Sequence, residues 1–290
     1  MKNKVLVVGA SGFVGIRIMD DWGDSAIGTH FLNPKPKTKY FDATSMDLES
    51  IEGVRDCSHA VILFGEQDPD QCFRNPVHAR KLNIEGTIRV IEQCMSLGIF
   101  PVFASSEAVF SGSRGLYSES DKPDPILVYG KLKVQIEDYL QKNCEKFIIL
   151  RFSRIIGSRR GDGSLLTNWL RQIEKGDEQI ICAEDQTMSL ISDKDLPHLL
   201  RLLILSEANG IFHISDGLRH NRIEILKQLI SQAKFVDKAI RIERVSIDHF
   251  KSPETRPRDI SLASDKIKAL FNYEFRSLSL CIEDVLNGWS

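Results

Sequence analysis

Lys4-Val5-Leu6-Val7-Val8 runs directly into Gly9-Ala10-Ser11-Gly12-Phe13-Val14-Gly15, and the fold follows from how this junction is read. Val5 to Val8 form a short apolar run suited to a buried strand, and the residues from Phe13 to Trp22 carry a helical pattern. Glycines at such a turn allow a tight bend, close approach of backbone to a pyrophosphate, and close packing of helix on strand. The helix N-terminus then offers free N–H groups to the anion. The junction therefore predicts a dinucleotide site built on Gly9, Ser11, Gly12, Phe13, Val14 and Gly15.

Working outward, short apolar runs alternate with helical patterns through the first half. The runs are Ser25–Phe31, Ala60–Phe64, Pro101–Ser105 and Phe147–Leu150, with helices expected over about 77–97 and 128–142. That rhythm predicts an α/β fold, a doubly wound parallel sheet of the Rossmann type, over residues 1–150. Beyond Arg151 the units are smaller: helices near 165–175, 194–205 and 222–234, and strands near 178–182 and 210–214. Residues 151–290 are expected to form a smaller α/β substrate-binding region, with segments near 188–195 and 210–215 returning to the main sheet. Ser111 to Ile126, rich in Gly, Ser, Pro and Asp, reads as a long loop of the kind that often serves function.

A second segment joins chemistry to the dinucleotide turn. Tyr129 and Lys133 lie four apart, so on a helix they share one face. An ammonium near a phenol favours the phenolate and prepares the tyrosine to exchange a proton with a carbonyl or alcohol near neutral pH. This helix follows Phe100-Pro101-Val102-Phe103-Ala104-Ser105-Ser106, an apolar strand ending in hydroxyls.

Composition narrows the partners. The chain has 290 residues, 42% of them hydrophobic, which is enough for a substantial core, and a net charge of -2. There is no basic stripe or aromatic-interleaved patch of the kind that nucleic acid requires, so a small polar molecule is the expected partner. No run approaches the length of a membrane span and no apolar leader is evident, which points to a cytoplasmic protein away from membranes. Six scattered cysteines, without C-x-x-C or a nearby His, read as reduced thiols in core and surface positions, with no metal site.

The G-x-x-G-x-x-G spacing, followed in order by Ser106, Tyr129 and Lys133, resembles the extended branch of the short-chain dehydrogenase/reductase superfamily. The likeness is greatest to its dTDP-4-dehydrorhamnose reductase subfamily. It rests on Ser105 to Phe110, Tyr117-Ser118-Glu119, Pro125 with Val128-Tyr129-Gly130-Lys131, Gly210 to Ser215, and Arg256-Pro257 followed by Leu262 and Lys266. By this resemblance Ser106, Tyr129 and Lys133 are catalytic. Glu107 either orients or assists, or is a loop carboxylate. Asp42 takes the place of an aspartate that meets the adenine amino group, followed by Ala43. Leu63-Phe64-Gly65 and Asn83, within Leu82-Asn83-Ile84-Glu85-Gly86-Thr87, complete the cofactor positions with Tyr129 and Lys133.

After the second strand, an NAD-preferring site presents a carboxylate to the ribose 2′-hydroxyl, but this chain reads Gly28-Thr29-His30-Phe31-Leu32-Asn33. His30, Asn33, Lys35 and Lys37 are candidates to accept a 2′-phosphate, so NADP(H) is preferred, with NAD(H) as the alternative. The resemblance implies hydride transfer to a nucleotide-linked 4-keto-6-deoxy sugar, with Tyr129 donating the proton and Ser106 hydrogen-bonding the substrate oxygen, in a homodimer. Two departures bear on the substrate. Ala108 replaces a tyrosine and Arg154 replaces a tryptophan, so Arg154 either contacts substrate, as Arg256 is expected to, or is a solvated charge. A nucleotide-sugar 4-epimerase, or a non-catalytic NADP-binding subunit similar to the regulatory subunit of methionine adenosyltransferase, are the alternative readings.

Overall fold

The structure, a computed structural model, describes residues 4–233 and 240–289. In chain order these form β1 (Lys4–Val8), α1 (Phe13–Trp22), β2 (Ala26–His30), β3 (Thr38–Tyr40), β4 (Cys57–Ile62), α2 (Pro69–Arg74), α3 (Pro76–Arg80), a π-helical turn (Lys81–Gly86), α4 (Thr87–Ser96), β5 (Phe100–Ser106), α5 (Val128–Asn143) and β6 (Ile148–Phe152). They continue with β7 (Arg154–Ile156), α6 (Leu165–Glu174), β8 (Gln179–Ala183), β9 (Thr187–Met188), β10 (Leu190–Ser192), α7 (Leu196–Leu205), β11 (Gly210–Ile214), β12 (His220–Asn221), α8 (Arg222–Gln232), β13 (Arg241–Val245), α9 (Asp265–Phe271) and α10 (Leu278–Asn287).

The chain divides into two compact units. The first comprises residues 1–109, 125–151 and 196–212, and the second 110–124, 152–195 and 213–290. A seven-stranded sheet has the order β11-β6-β5-β4-β1-β2-β3, and the pairings from β5 through β3 are parallel. Its strands read as continuous apolar runs because both faces are covered: Leu6, Val7, Ala60, Val61, Ile149 and Leu150 are all fully buried. Strand order reverses at β1, which has β2 on one side and β4 on the other. That reversal brings the loops after β1 and β4 together at the carboxyl ends of the strands, the usual place for a ligand in such sheets.

Helices complete the first unit. Val90, Ile91 and Cys94 of α4 recur at helical spacing and bury one stripe, while α1 is tied to α7 by Trp22 Nε1, which donates to the Pro197 carbonyl at 3.1 Å. The helix expected over 77–97 is interrupted: α3 passes through the π-helical turn before α4 begins.

The second unit has its own core, including Ile156, Leu166, Trp169, Ile180, Leu226, Ile282 and Val285. Several motif residues are structural here. Tyr117 exchanges backbone hydrogen bonds with Ser261 and Ala263 at 3.0 and 2.8 Å and stacks on Phe110 with ring centroids 4.2 Å apart. Glu119 Oε1 accepts from the His213 amide at 2.9 Å.

Two expectations need correction. Leu190–Ser192 does not enter the main sheet but pairs with β7 in a two-stranded parallel sheet, since β6 already has β5 on one edge and β11 on the other. The strand at 210–214 does lie in the main sheet, as its edge. All six cysteines are buried, none at the surface. Short strands such as β3, β7 and β13 carry too little pattern to be read beforehand, and Lys234, the expected end of α8, lies outside the described residues. Among the described residues no helix is long and apolar enough to cross a membrane.

Candidate active site

The turn after β1 is shaped by its glycines. Gly9 has φ +90°, and a Cβ there would lie 2.9 Å from the Phe64 amide nitrogen, so the loop after β1 can touch the loop after β4 only with glycine at this position. Gly15 serves the helix: a Cβ would come within 2.6 Å of the Gly9 carbonyl oxygen. The Ala10 amide donates to the Thr29 carbonyl at 2.8 Å and the Gly9 amide to Thr29 Oγ1 at 3.2 Å, fixing the loop on β2. Gly12 caps α1 without a side-chain bond and the first turn carries no acid, so the amides around Phe13 and Val14 form a positive end suited to a phosphate.

At the end of β2, His30 Nδ1 lies 2.8 Å from Thr38 Oγ1, and no carboxylate follows. Lys37 pairs with Asp24 at 3.2 Å on the surface, while Lys35 is exposed. Asp42 accepts from the Thr44 amide and hydroxyl, both at 2.8 Å, and from the Ser45 hydroxyl at 2.8 Å. Burial, the largest influence, pushes its carboxyl up, but these bonds and the charge of Lys81 bring it below the ordinary value. Ala43 beside it is buried.

Asn83 secures the loop that continues from Leu63 and Phe64. The Leu63 amide donates to the Val8 carbonyl at 2.9 Å, and Asn83 Oδ1 accepts from the Glu66 amide at 2.7 Å while Nδ2 donates to the Glu66 carbonyl at 2.9 Å. The same Oδ1 lies against Gly65. Asn83 sits in the π-helical turn, the kind of local widening often found at functional sites.

Lys133 joins α5, which also carries Tyr129, to the carboxyl end of β5, where Ser106 stands. Lys133 Nζ donates to the Ala104 carbonyl at 2.7 Å, two residues before Ser106, and lies 5.5 Å from the Tyr129 ring centroid and 4.8 Å from that of Phe103. Burial pushes the Lys133 amine down to about 8, against the opposing pull of Cys72 and Glu137. Ser106 Oγ donates to Glu107 Oε2 at 3.0 Å and accepts from the Ala108 amide at 3.2 Å. The Tyr129 hydroxyl donates to Gln67 Oε1 at 2.8 Å. A titrating amine, a phenol and a hydroxyl in one buried corner are equipped to pass a proton to a carbonyl or alcohol oxygen.

A family model described as the RmlD substrate binding domain matches residues 3–289. The chain belongs to this family. Within the wider superfamily it is an extended short-chain dehydrogenase/reductase. The RmlD-family chain is 28% identical over 160 residues to methionine adenosyltransferase 2 subunit beta of Rattus norvegicus, covering 53% of this chain and 47% of that protein. It thus spans about half the length of such relatives. It is also 28% identical over 211 residues to a dTDP-4-dehydrorhamnose reductase of Sinorhizobium fredii, covering 70% of each. Its fold is that of a Bacillus anthracis dTDP-4-dehydrorhamnose reductase solved in complex with NADP: TM-score 0.83, 22% identity, 99% of each chain covered.

The two expected substrate residues of this RmlD-family chain lie in the second unit. Arg154 opens β7, exposed, with its amide donating to the Ser189 carbonyl at 3.2 Å, and Arg256 is half-buried with Nε 3.2 Å from Ser252 Oγ. Sequence reasoning missed Gln67, which carries no motif, and the buried pair Glu137 and Arg151. Glu137 offered one signal, since it stands one turn beyond Lys133 on the same helical face.

Proposed function

We propose that the chain is an NAD(P)H-dependent reductase of a nucleotide-linked 4-keto-6-deoxy sugar. The observation that carries this reading is Lys133, buried one helical turn from Tyr129, with its amine bonded to the Ala104 carbonyl beside Ser106. The first unit suits a dinucleotide on its own geometry: the acid-free first turn of α1 and the close approach at Gly9 leave room for a pyrophosphate. The absence of a carboxylate after β2 favours a 2′-phosphate, and therefore NADPH over NADH. The bound nicotinamide supplies the hydride.

The chain's own residues do the rest. Tyr129 gives its phenolic proton to the developing alkoxide, Ser106 hydrogen-bonds that oxygen, and Lys133 favours the phenolate left behind while holding the nicotinamide ribose. Glu107 orients Ser106 through their mutual hydrogen bond. Arg154 and Arg256 are the proposed substrate contacts of the second unit.

The test is consumption of NADPH or NADH against dTDP-, UDP-, GDP- and CDP-4-keto-6-deoxy sugars generated in situ. Consumption with one nucleotide identifies the substrate and cofactor together. Tight cofactor binding without consumption of any sugar overturns the reading in favour of an epimerase or of a cofactor-binding subunit resembling methionine adenosyltransferase subunit beta.

A further inference from the structure

An ion pair that neither cofactor nor substrate assignments use lies behind Lys133. Glu137, one turn further along α5, and Arg151 in β6 are each only 1% exposed. Arg151 Nε donates to Oε1 and Oε2 of Glu137 at 3.1 and 3.2 Å, and Nη2 donates to Oε2 at 2.6 Å. Ser105 adds its hydroxyl, 2.5 Å from Oε1. One carboxylate therefore ties the helix bearing Tyr129 and Lys133 to the strand end bearing Ser106 and to the neighbouring strand. Ala104, which holds the Lys133 amine, directly precedes Ser105.

A buried ion pair contributes little net stability over apolar residues of the same volume, whereas one half left alone is strongly unfavourable. We propose that Glu137 and Arg151, with Ser105, are positioning residues for the Tyr129 and Lys133 pair: they lock helix to strand, and each cancels the other's charge at the Lys133 amine. This rests on Tyr129 and Lys133 being the proton-transfer pair. The ionisable groups acting on that amine fit the proposal. Glu137 acts on it from its own helix and Cys72 from α2, Arg151 is paired with Glu137, the Tyr129 ring lies 5.5 Å away on the same helix, and β5 brings the neutral Phe103 ring and Ala104 carbonyl. Glu107, after β5, is engaged by Ser106.

The test needs no substrate. The phenolate absorbance of the protein, taken as the difference from Tyr129→Phe, gives the pH at which Tyr129 ionises in each background. Arg151→Met leaves an uncancelled anion near the site and should raise that midpoint by about one pH unit, while Glu137→Gln leaves a cation and should lower it by about as much. The double variant Glu137→Gln/Arg151→Met should return close to the original midpoint. Unchanged midpoints, or shifts of the same sign, overturn the proposal and leave the pair a purely structural bond. If the single variants do not fold, the double variant decides: folding with the original midpoint supports mutual cancellation, and a displaced midpoint or failure to fold overturns it. A chain that reduces no sugar but titrates as described fails the proposed function without failing this inference.

Discussion

The Tyr129 hydroxyl donates its hydrogen bond to Gln67 Oε1 at 2.8 Å, so the phenol at the centre of the site is held by a residue of the loop after β4. An amide oxygen accepting from a phenol stabilises the protonated form, because the phenolate would face that oxygen across a repulsive contact. Gln67→Leu should therefore lower the pH at which Tyr129 ionises by about half a unit, consistent with a net hydrogen bond of about 1 kcal/mol at an exposed residue. Gln67→Glu should raise it. The phenolate difference spectrum reads both, and a common direction for the two variants would refute this role.

Removing the Tyr129 hydroxyl separates the proposed chemistry from binding. Tyr129→Phe should reduce turnover of the accepted sugar about 10²- to 10⁴-fold while NADPH still binds, as followed by nicotinamide fluorescence. Activity retained within a factor of two would sink the assignment of Tyr129.

Lys133 gives the pH dependence. With its amine at about 8, reductive turnover should fall as pH rises above that value, and Lys133→Met should lack this limb. Stability should move in the opposite direction. The folded value lies below the ordinary lysine value of 10.5, so the unfolded chain binds more proton between the two. Relative to Lys133→Met, the protein should gain stability as pH climbs from about 8 toward 10.5, measured by denaturant melts across that window.

His59, in β4, sets an acid limit to stability. Its ring packs on Phe100 with centroids 5.2 Å apart, and burial pushes its imidazole down to about 4 from 6.5, with Glu207 pulling weakly upward. Its contribution is complete above pH 6.5 and is lost as pH falls through the window to 4. The protein should lose about 2 kcal/mol relative to His59→Phe across that range, allowing for partial solvent screening. Parallel melting curves for the two would exclude His59 as the source.

At the glycine turn after β1, Gly9→Ala forces a side chain into positive φ and against the Phe64 backbone. Stability should drop by about 2 kcal/mol and NADPH affinity by at least about tenfold. A substitution without effect on affinity would remove this turn from the cofactor site.

Much of the site was legible because its signals are local. The turn from Gly9 to Gly15 and the Tyr129 to Lys133 spacing each lie within one or two helical turns, where residue type and period alone set which groups share a face. Asn83 became legible through its motif, although nothing in that motif showed that it would clamp Glu66 and Gly65. Tyr117 and Glu119 were legible as motif residues, yet they serve the packing of the second unit. Gln67 left no mark, since its tie to Tyr129 spans 62 residues and a lone exposed glutamine carries no period.

The amino-acid sequence by itself determined the doubly wound sheet, the glycine turn after β1 and the phenol with its lysine one helical turn away, because apolar period, glycine sterics and helical spacing act over a few residues. Tertiary structure alone decided that Leu190–Ser192 pairs with β7, that α7 joins the first unit, and that Glu137, Arg151 and Ser105 converge behind Lys133. Those outcomes depend on which sheet edges are already occupied and which charges are driven out of water together, and both are settled only when distant segments pack.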